Sequence, residues 1–201
     1  MLNCKNLECV RGGKTLFSDL SFKVPAGKTL VIRGRNGSGK TSLLKILSGL
    51  LSPNNGEIKW RDKNINSDPF AFKNDLAYIG HKNGIKLQQT VSENLCFWRD
   101  VYHSENEKIE HAISVFGLDD VLDVPCYMLS AGWQRRVALS RFLLTSAKLW
   151  LMDEPTTNLD LNVKEILRDV IKKHSKTGGI SIISTNDDGF TGKEINLDKY
   201  K

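Results

Sequence analysis

Apolar residues recur along this chain in three rhythms, each predicting a different kind of element. Between Leu16 and Val24 the alternation of Leu20, Phe22 and Val24 with polar neighbours predicts a strand with one buried face. Two further short strands are predicted, the apolar run Leu30–Ile32 and the segment Glu57–Trp60, set off by the turn signals Pro25-Ala26-Gly27 and Pro53-Asn54-Asn55-Gly56. Leu43, Leu44, Ile46, Leu47 and Leu50 follow the i, i+3, i+4, i+7 spacing of one buried helical face, directly after a glycine-rich turn. Residues 76–145 read as mostly helical, with a stripe of Ile109, Ile113 and Phe116 that Gly117 ends. Residues 146–201 hold two near-continuous apolar runs, Leu149–Met152 and Ile180–Ile183, joined by a helix around Val163–Ile171 and the Gly178-Gly179 break. Strand, helix, strand with near-continuous apolar runs predicts a parallel sheet. There is no internal repeat, heptad array or low-complexity tract.

The 201 residues are 40% hydrophobic and 26% charged, which fits one globular domain. A chain of this size buries roughly 70% of its unfolded surface, so its core needs no disulfide or metal staple. Cys4, Cys9, Cys96 and Cys126 form no C-x-x-C pair and no ligand spacing with histidine, so they are expected to be reduced structural thiols. The first residues contain no apolar signal region, and no apolar stretch approaches the roughly 18 residues that span a bilayer, so any membrane role is expected to be peripheral. The net charge of +6 comes from scattered lysines and arginines. It suits anionic partners without choosing among nucleotide, nucleic acid and lipid surface.

Gly34-Arg35-Asn36-Gly37-Ser38-Gly39-Lys40-Thr41 fits G-x-x-x-x-G-K-[ST] between a predicted strand and a predicted helix. Glycines let backbone N–H groups converge on phosphate oxygens, and the helix start adds about half a positive charge. Lys40 reaches the β- and γ-phosphates, and Thr41 can ligate Mg²⁺. The apolar run Leu149–Met152 ends abruptly in Asp153-Glu154, at the strand end where open α/β sheets place their ligands. Asp153 is the candidate for the metal shell, and Glu154 for polarising an attacking water.

With these motifs, Leu129-Ser130-Ala131-Gly132-Trp133-Gln134-Arg135-Arg136-Val137-Ala138-Leu139 resembles the signature segment of the ATP-binding-cassette ATPases, and the resemblance covers nearly the whole chain. It implies an α/β P-loop NTPase fold: a mainly parallel core sheet, an N-terminal antiparallel β subdomain and a helical subdomain over about residues 76–145, within a single nucleotide-binding domain over 1–201. It also implies that Ser130 and Gly132 of one copy close on the ATP held by another, and that Asn158-Leu159-Asp160 is a loop crossing that dimer. Four positions depart from the family. Arg11 stands where an aromatic usually stacks on adenine, and His81 stands where a glutamine usually senses Mg²⁺. Trp133 replaces the last signature glutamine. Asn186, in Ser184-Thr185-Asn186-Asp187, replaces a histidine that touches the γ-phosphate. An amide cannot become a cation, so hydrolysis is expected to be slow.

Within the family the chain is similar to the ATP-binding subunits of cytochrome c maturation, also described as haem-exporter ATPases. Thr15–Phe22, Tyr78–Lys86 and the Leu-Ser-Ala-Gly signature with its following Arg135-Arg136 carry that similarity. It implies a peripheral subunit on the cytoplasmic face of the bacterial inner membrane. Its implied partners are a membrane permease, other cytochrome c maturation membrane proteins and a second copy of itself, with ATP and Mg²⁺ as ligands and no nucleic acid. ATP hydrolysis would be coupled to haem export or to release of a haem chaperone. The Thr90–Leu95 segment would border the permease-docking groove. Another ABC exporter, or a soluble cassette acting on nucleic acid, are the alternative readings. His103, His111 and His174 are expected to be ordinary surface or loop residues.

Overall fold

A computed structural model describes residues 1–201. The chain divides into two compact units, Met1–Tyr78 with Ala147–Glu154 and Ile171–Lys201, and Ile79–Ser146 with Pro155–Val170.

The first unit is built on two sheets. Strands β1 (Leu2–Arg11), β2 (Lys14–Val24), β4 (Asn55–Trp60) and β5 (Lys63–Asn64) pair antiparallel in the order β2-β1-β4-β5. The predicted strands at 16–24 and 57–60 are present, but the central strand β1 carried no clear signal. Its buried residues are Leu2, Cys4, Leu7 and Cys9, so the alternation slips between Cys4 and Leu7. The slip is a bulge: Asn6 has φ 48° and its N–H donates to Ser21 Oγ. Gly56 on β4 lies against this bulge, and a Cβ there would run into the carbonyl oxygens of Lys5 and Asn6.

The second sheet has the order β6-β7-β8-β3-β9, with β3 (Thr29–Arg33), β6 (Leu76–Ile79), β7 (Leu149–Asp153), β8 (Ile180–Ser184) and β9 (Lys193–Asn196). The β7–β8, β8–β3 and β3–β9 pairs are parallel, as the continuous apolar runs predict. β7 and β8 are buried at every position. Strand β9 escapes a sequence reading because only Ile195 of its four residues is buried.

Helix α1 (Lys40–Leu47) buries Leu43, Leu44, Ile46 and Leu47. Leu50, expected on the same face, is 63% exposed instead. Gly49, at φ 72°, turns the chain out of the helix before Leu50 can come into phase. Between α1 and β6 lies a short helix α2 (Pro69–Asn74). The first four residues of the stretch read as helical are strand β6.

The second unit holds α3 (Val91–Val101), α4 (Asn106–Phe116) and α5 (Ala131–Leu144), while α6 (Leu161–Lys176) begins in it. Thr90 and Glu93 form a capping box at the start of α3. Gly117, at φ 60°, closes α4 as the stripe of Ile109, Ile113 and Phe116 predicts. The four cysteines are free thiols, and no helix is long and apolar enough to cross a membrane.

Candidate nucleotide site

In the first unit, β3 runs into the loop Gly34–Gly39 and the loop runs into α1. Gly39 is the N-cap at φ 102°, and no side chain caps the helix, so the N–H donors of its first turn have no side-chain acceptor. A Cβ on Gly39 would press on Leu16 and Phe17 at 3.1 Å, so the loop is seated directly on β2. Lys40 Nζ donates back to Gly34 O at 2.7 Å and lies 3.8 Å from Glu154 Oε1. Ser38 Oγ is buried beside Gly34 without a hydrogen-bond partner.

The carboxylates meet this loop from the end of β7. Asp153 is buried; its Oδ2 accepts from Thr41 Oγ1 at 2.8 Å and its Oδ1 accepts from Ser184 Oγ at 2.5 Å. Glu154 takes φ 44°, a left-handed conformation costing about 1–3 kcal/mol in a residue other than glycine. The strained residue is held by its own N–H, which donates to Ser184 O at 2.9 Å and contacts Ser184 Oγ at 3.2 Å. The structure thus brings Lys40, Thr41, Asp153 and Glu154 together. It adds Ser184 as a partner of Asp153; in the sequence, its only signal is a serine ending the apolar run Ile180–Ile183.

The donor set suits a magnesium triphosphate. Amides at a helix start and an ammonium suit phosphate oxygens. A hydroxyl and a carboxylate oxygen 2.8 Å apart are the hard oxygen donors that Mg²⁺ takes while keeping several of its own waters.

Other parts of the first unit brace the loop. Asp198 Oδ2 accepts the Arg35 N–H at 3.0 Å, and this bond, with Lys201 and the Arg35 charge adding to it, holds the Asp198 carboxyl below its ordinary value. Arg11 is exposed at the tip of the β1–β2 hairpin, beside the Gly12-Gly13 turn. Asn186 is exposed in the loop after β8. His174 corrects the expectation of a surface residue. It is 9% exposed and stacks flat on Trp150, with centroids 3.6 Å apart and planes 6° apart. The stack has room because residue 179 is glycine: a Cβ there would strike the imidazole.

In the second unit, Ser130 is the N-cap of α5 and its Oγ accepts from Trp133 N at 3.4 Å. Gly132, in the first turn, sits against the Asn158 carbonyl. Arg136 stacks over the Trp133 ring at 4.5 Å and pairs with Asp160 Oδ2 at 2.5 Å. The Val163 N–H bond, followed by the Arg136 pair, holds the Asp160 carboxyl below its usual range against desolvation. Arg136, with the Trp133 ring of its own helix against it, therefore braces the loop carrying Asp160. His81 is exposed in the bend after β6. Arg135, buried, ties that bend to the Asn158 segment by donating to Gly80 O, Asn83 Oδ1 and Pro155 O. Buried Asn94 fixes the following turn through bonds to the backbone of Lys86 and Thr90.

A phosphate loop fed by a parallel strand, an acidic strand end beside it and a serine-capped signature helix define an ATP-binding cassette. Residues 17–157 match the ABC transporter family model, and the chain belongs to that family. Among its relatives are the cytochrome c biogenesis ATP-binding export proteins CcmA. The chain is 41% identical to that of Paramagnetospirillum magneticum, over 98% of this chain and 94% of the relative. It is 45% identical to that of Wolbachia pipientis, over 92% and 88%. Its fold is shared with an ABC transporter ATP-binding protein from Pyrococcus furiosus, at TM-score 0.87 and 26% identity over 100% of this chain and 98% of that one. A dimeric ATP-binding cassette bound to ADP and phosphate, at TM-score 0.79 and 23% identity, covers 93% of this chain and 88% of its own.

Proposed function

We propose that this chain is the ATP-hydrolysing subunit of a membrane ABC complex for cytochrome c biogenesis, acting at the cytoplasmic face of the inner membrane beside a permease. In this reading hydrolysis drives haem export or release of the haem chaperone. The 41–45% identity to cytochrome c biogenesis export proteins supports that assignment.

The amides of Gly34–Thr41 and Lys40 hold the β- and γ-phosphates. Lys40 is parked on Gly34 O and near Glu154, and a triphosphate offers it a stronger acceptor. Thr41 and Asp153 would hold Mg²⁺, Asp153 through water, and the ion would offset phosphate charge. Glu154 orients and polarises the attacking water. Asn186 donates a neutral hydrogen bond toward the γ-phosphate in place of the histidine that the family resemblance leads one to expect, which slows turnover. Arg11 would lay its guanidinium on the base, and His81 would take the metal-sensing role through a ring nitrogen. Ser130 and Gly132 of a second copy close the site, and Asp160 belongs to the loop that crosses between copies. Exposed Leu87, Tyr127 and Met128, with Tyr127 N bonded to Leu87 O, offer an apolar face to the membrane subunit.

The observation that carries the reading is the meeting of Lys40, Thr41, Asp153 and Glu154 at one loop. Glu154→Gln tests it in the complex isolated from membranes. The variant should keep ATP binding, accumulate as a closed dimer and lose about 10²- to 10⁴-fold in turnover. Turnover at the normal rate removes Glu154 from this role.

A further inference from the structure

The last residue of β3, Arg33, sits directly before Gly34, and its side chain is only 15% exposed. A charge there serves neither the sheet nor the hydrophobic core, so its partners explain it. One guanidinium nitrogen, NH1, donates to two carbonyl oxygens, Thr185 at 3.2 Å and Asp187 at 2.8 Å. These carbonyls flank Asn186 on either side. The other nitrogen, NH2, pairs with Glu194 Oε1 on β9 at 3.1 Å and with exposed Asp188 at 3.5 Å.

The rest of the loop is braced to the same end. Thr185 N donates to Ile32 O at 3.1 Å, Thr185 Oγ1 accepts from Asp187 N at 3.0 Å, and Asp187 Oδ1 accepts from Gly189 N at 2.9 Å. The side chains on both sides of Asn186 are spent on holding the turn, while the Asn186 side chain is left exposed. Glu194 in turn fixes the guanidinium from the neighbouring strand, whose register sets Val31 beside Glu194.

We infer that Arg33 is the positioning residue for Asn186: one guanidinium locks the loop after β8 to the strand that feeds the phosphate loop. This rests on the reading of Asn186 given above. A neutral amide gains less than an imidazolium from approaching phosphate, so its contribution depends more on being held in place beforehand. Arg33 acts through geometry and touches no reacting atom.

The test is steady-state ATP hydrolysis by the complex isolated from membranes, with Arg33→Met, Arg33→Lys, Asn186→Ala and the double variant Arg33→Met/Asn186→Ala. Arg33→Met should lower kcat about tenfold with KM for ATP within about twofold, since sub-ångström misplacement alone is costly. Arg33→Lys, a single ammonium in place of the two-pronged donor, should recover part of that loss. In the Asn186→Ala background the Arg33→Met loss should shrink below about twofold, a coupling that general loosening of the sheet does not produce. If Arg33→Met does not fold, the Arg33→Lys and Arg33→Lys/Asn186→Ala pair carries the same comparison. An undiminished Arg33 effect without Asn186, or unchanged kcat for the folded Arg33 variants, overturns the inference and leaves the role of Asn186 intact. Unchanged kcat for Asn186→Ala alone overturns both.

Discussion

Gly132 offers the sharpest test of how the signature helix is built. Its backbone torsions are ordinary for a helix, so the requirement for glycine there is one of space. A Cβ at Gly132 would stand 2.7 Å from the Asn158 carbonyl oxygen, several tenths of an ångström inside ordinary contact. The carbonyl is poorly placed to yield. Leu159 N donates to Thr156 O at 3.2 Å, Asp160 caps α6 through Val163 N at 2.9 Å, and Arg136 holds the same carboxylate. Gly132→Ala therefore meets an overpacking cost of about 1–3 kcal/mol, offset by about 1 kcal/mol of helix propensity. The net loss of about 0–2 kcal/mol lowers Tm by at most about 8 °C at 2–4 °C per kcal/mol. Function should suffer more, because the relief available is displacement of the Asn158–Asp160 segment; turnover should fall about 10²-fold. Neighbouring Ala131 is exposed, and Ala131→Gly should leave turnover within twofold. Thermal denaturation and ATPase assay of the complex, run on both variants, decide the matter. A folded Gly132→Ala chain with normal turnover would refute the idea that this close approach sets the geometry of the closing helix.

Two further predictions follow from single side chains. Burial lowers the His174 pKa from its ordinary 6.5 to about 4, with nearby Lys148 opposing its charge and backbone bonds at Lys148 and Ile180 favouring it. Above pH 6.5 the ring is neutral folded and unfolded; as pH falls from 6.5 towards 4 the unfolded chain takes up a proton the folded chain refuses, so stability declines across that window. His174→Phe keeps a ring on Trp150 and should flatten that decline in urea titrations; identical pH slopes in the two proteins refute it. Asn186→His converts a neutral contact into a charge-assisted one worth about 1 kcal/mol more, so single-turnover hydrolysis should rise about fivefold, and an unchanged rate would show that the loop does not bear on the γ-phosphate.

Where chemistry lies in consecutive residues, the sequence was legible. Gly34–Thr41 and Asp153-Glu154 are contiguous because a loop's amides and a strand's end act locally, and their surroundings of strand and helix are carried by the same residues. The near-continuous apolar runs of β7 and β8 pointed to a parallel sheet for a similar reason: a strand buried on both faces carries few polar positions to disguise it. Strand β1 was missed because a bulge at Asn6 breaks its alternation, and Leu50 was misplaced because Gly49 ends the helix one residue before it.

What the chain alone determined was the kind of site, since residue types and spacing fix which ligands can be held. Which distant residues meet was decided only by folding. Ser184 reaches Asp153 across 31 positions, Arg33 reaches the Asn186 loop across some 150, and His174 finds its slot between Trp150 and a glycine. Strand register and sheet order make these pairings, and they are set by burial summed over the whole core, which no local window of sequence contains.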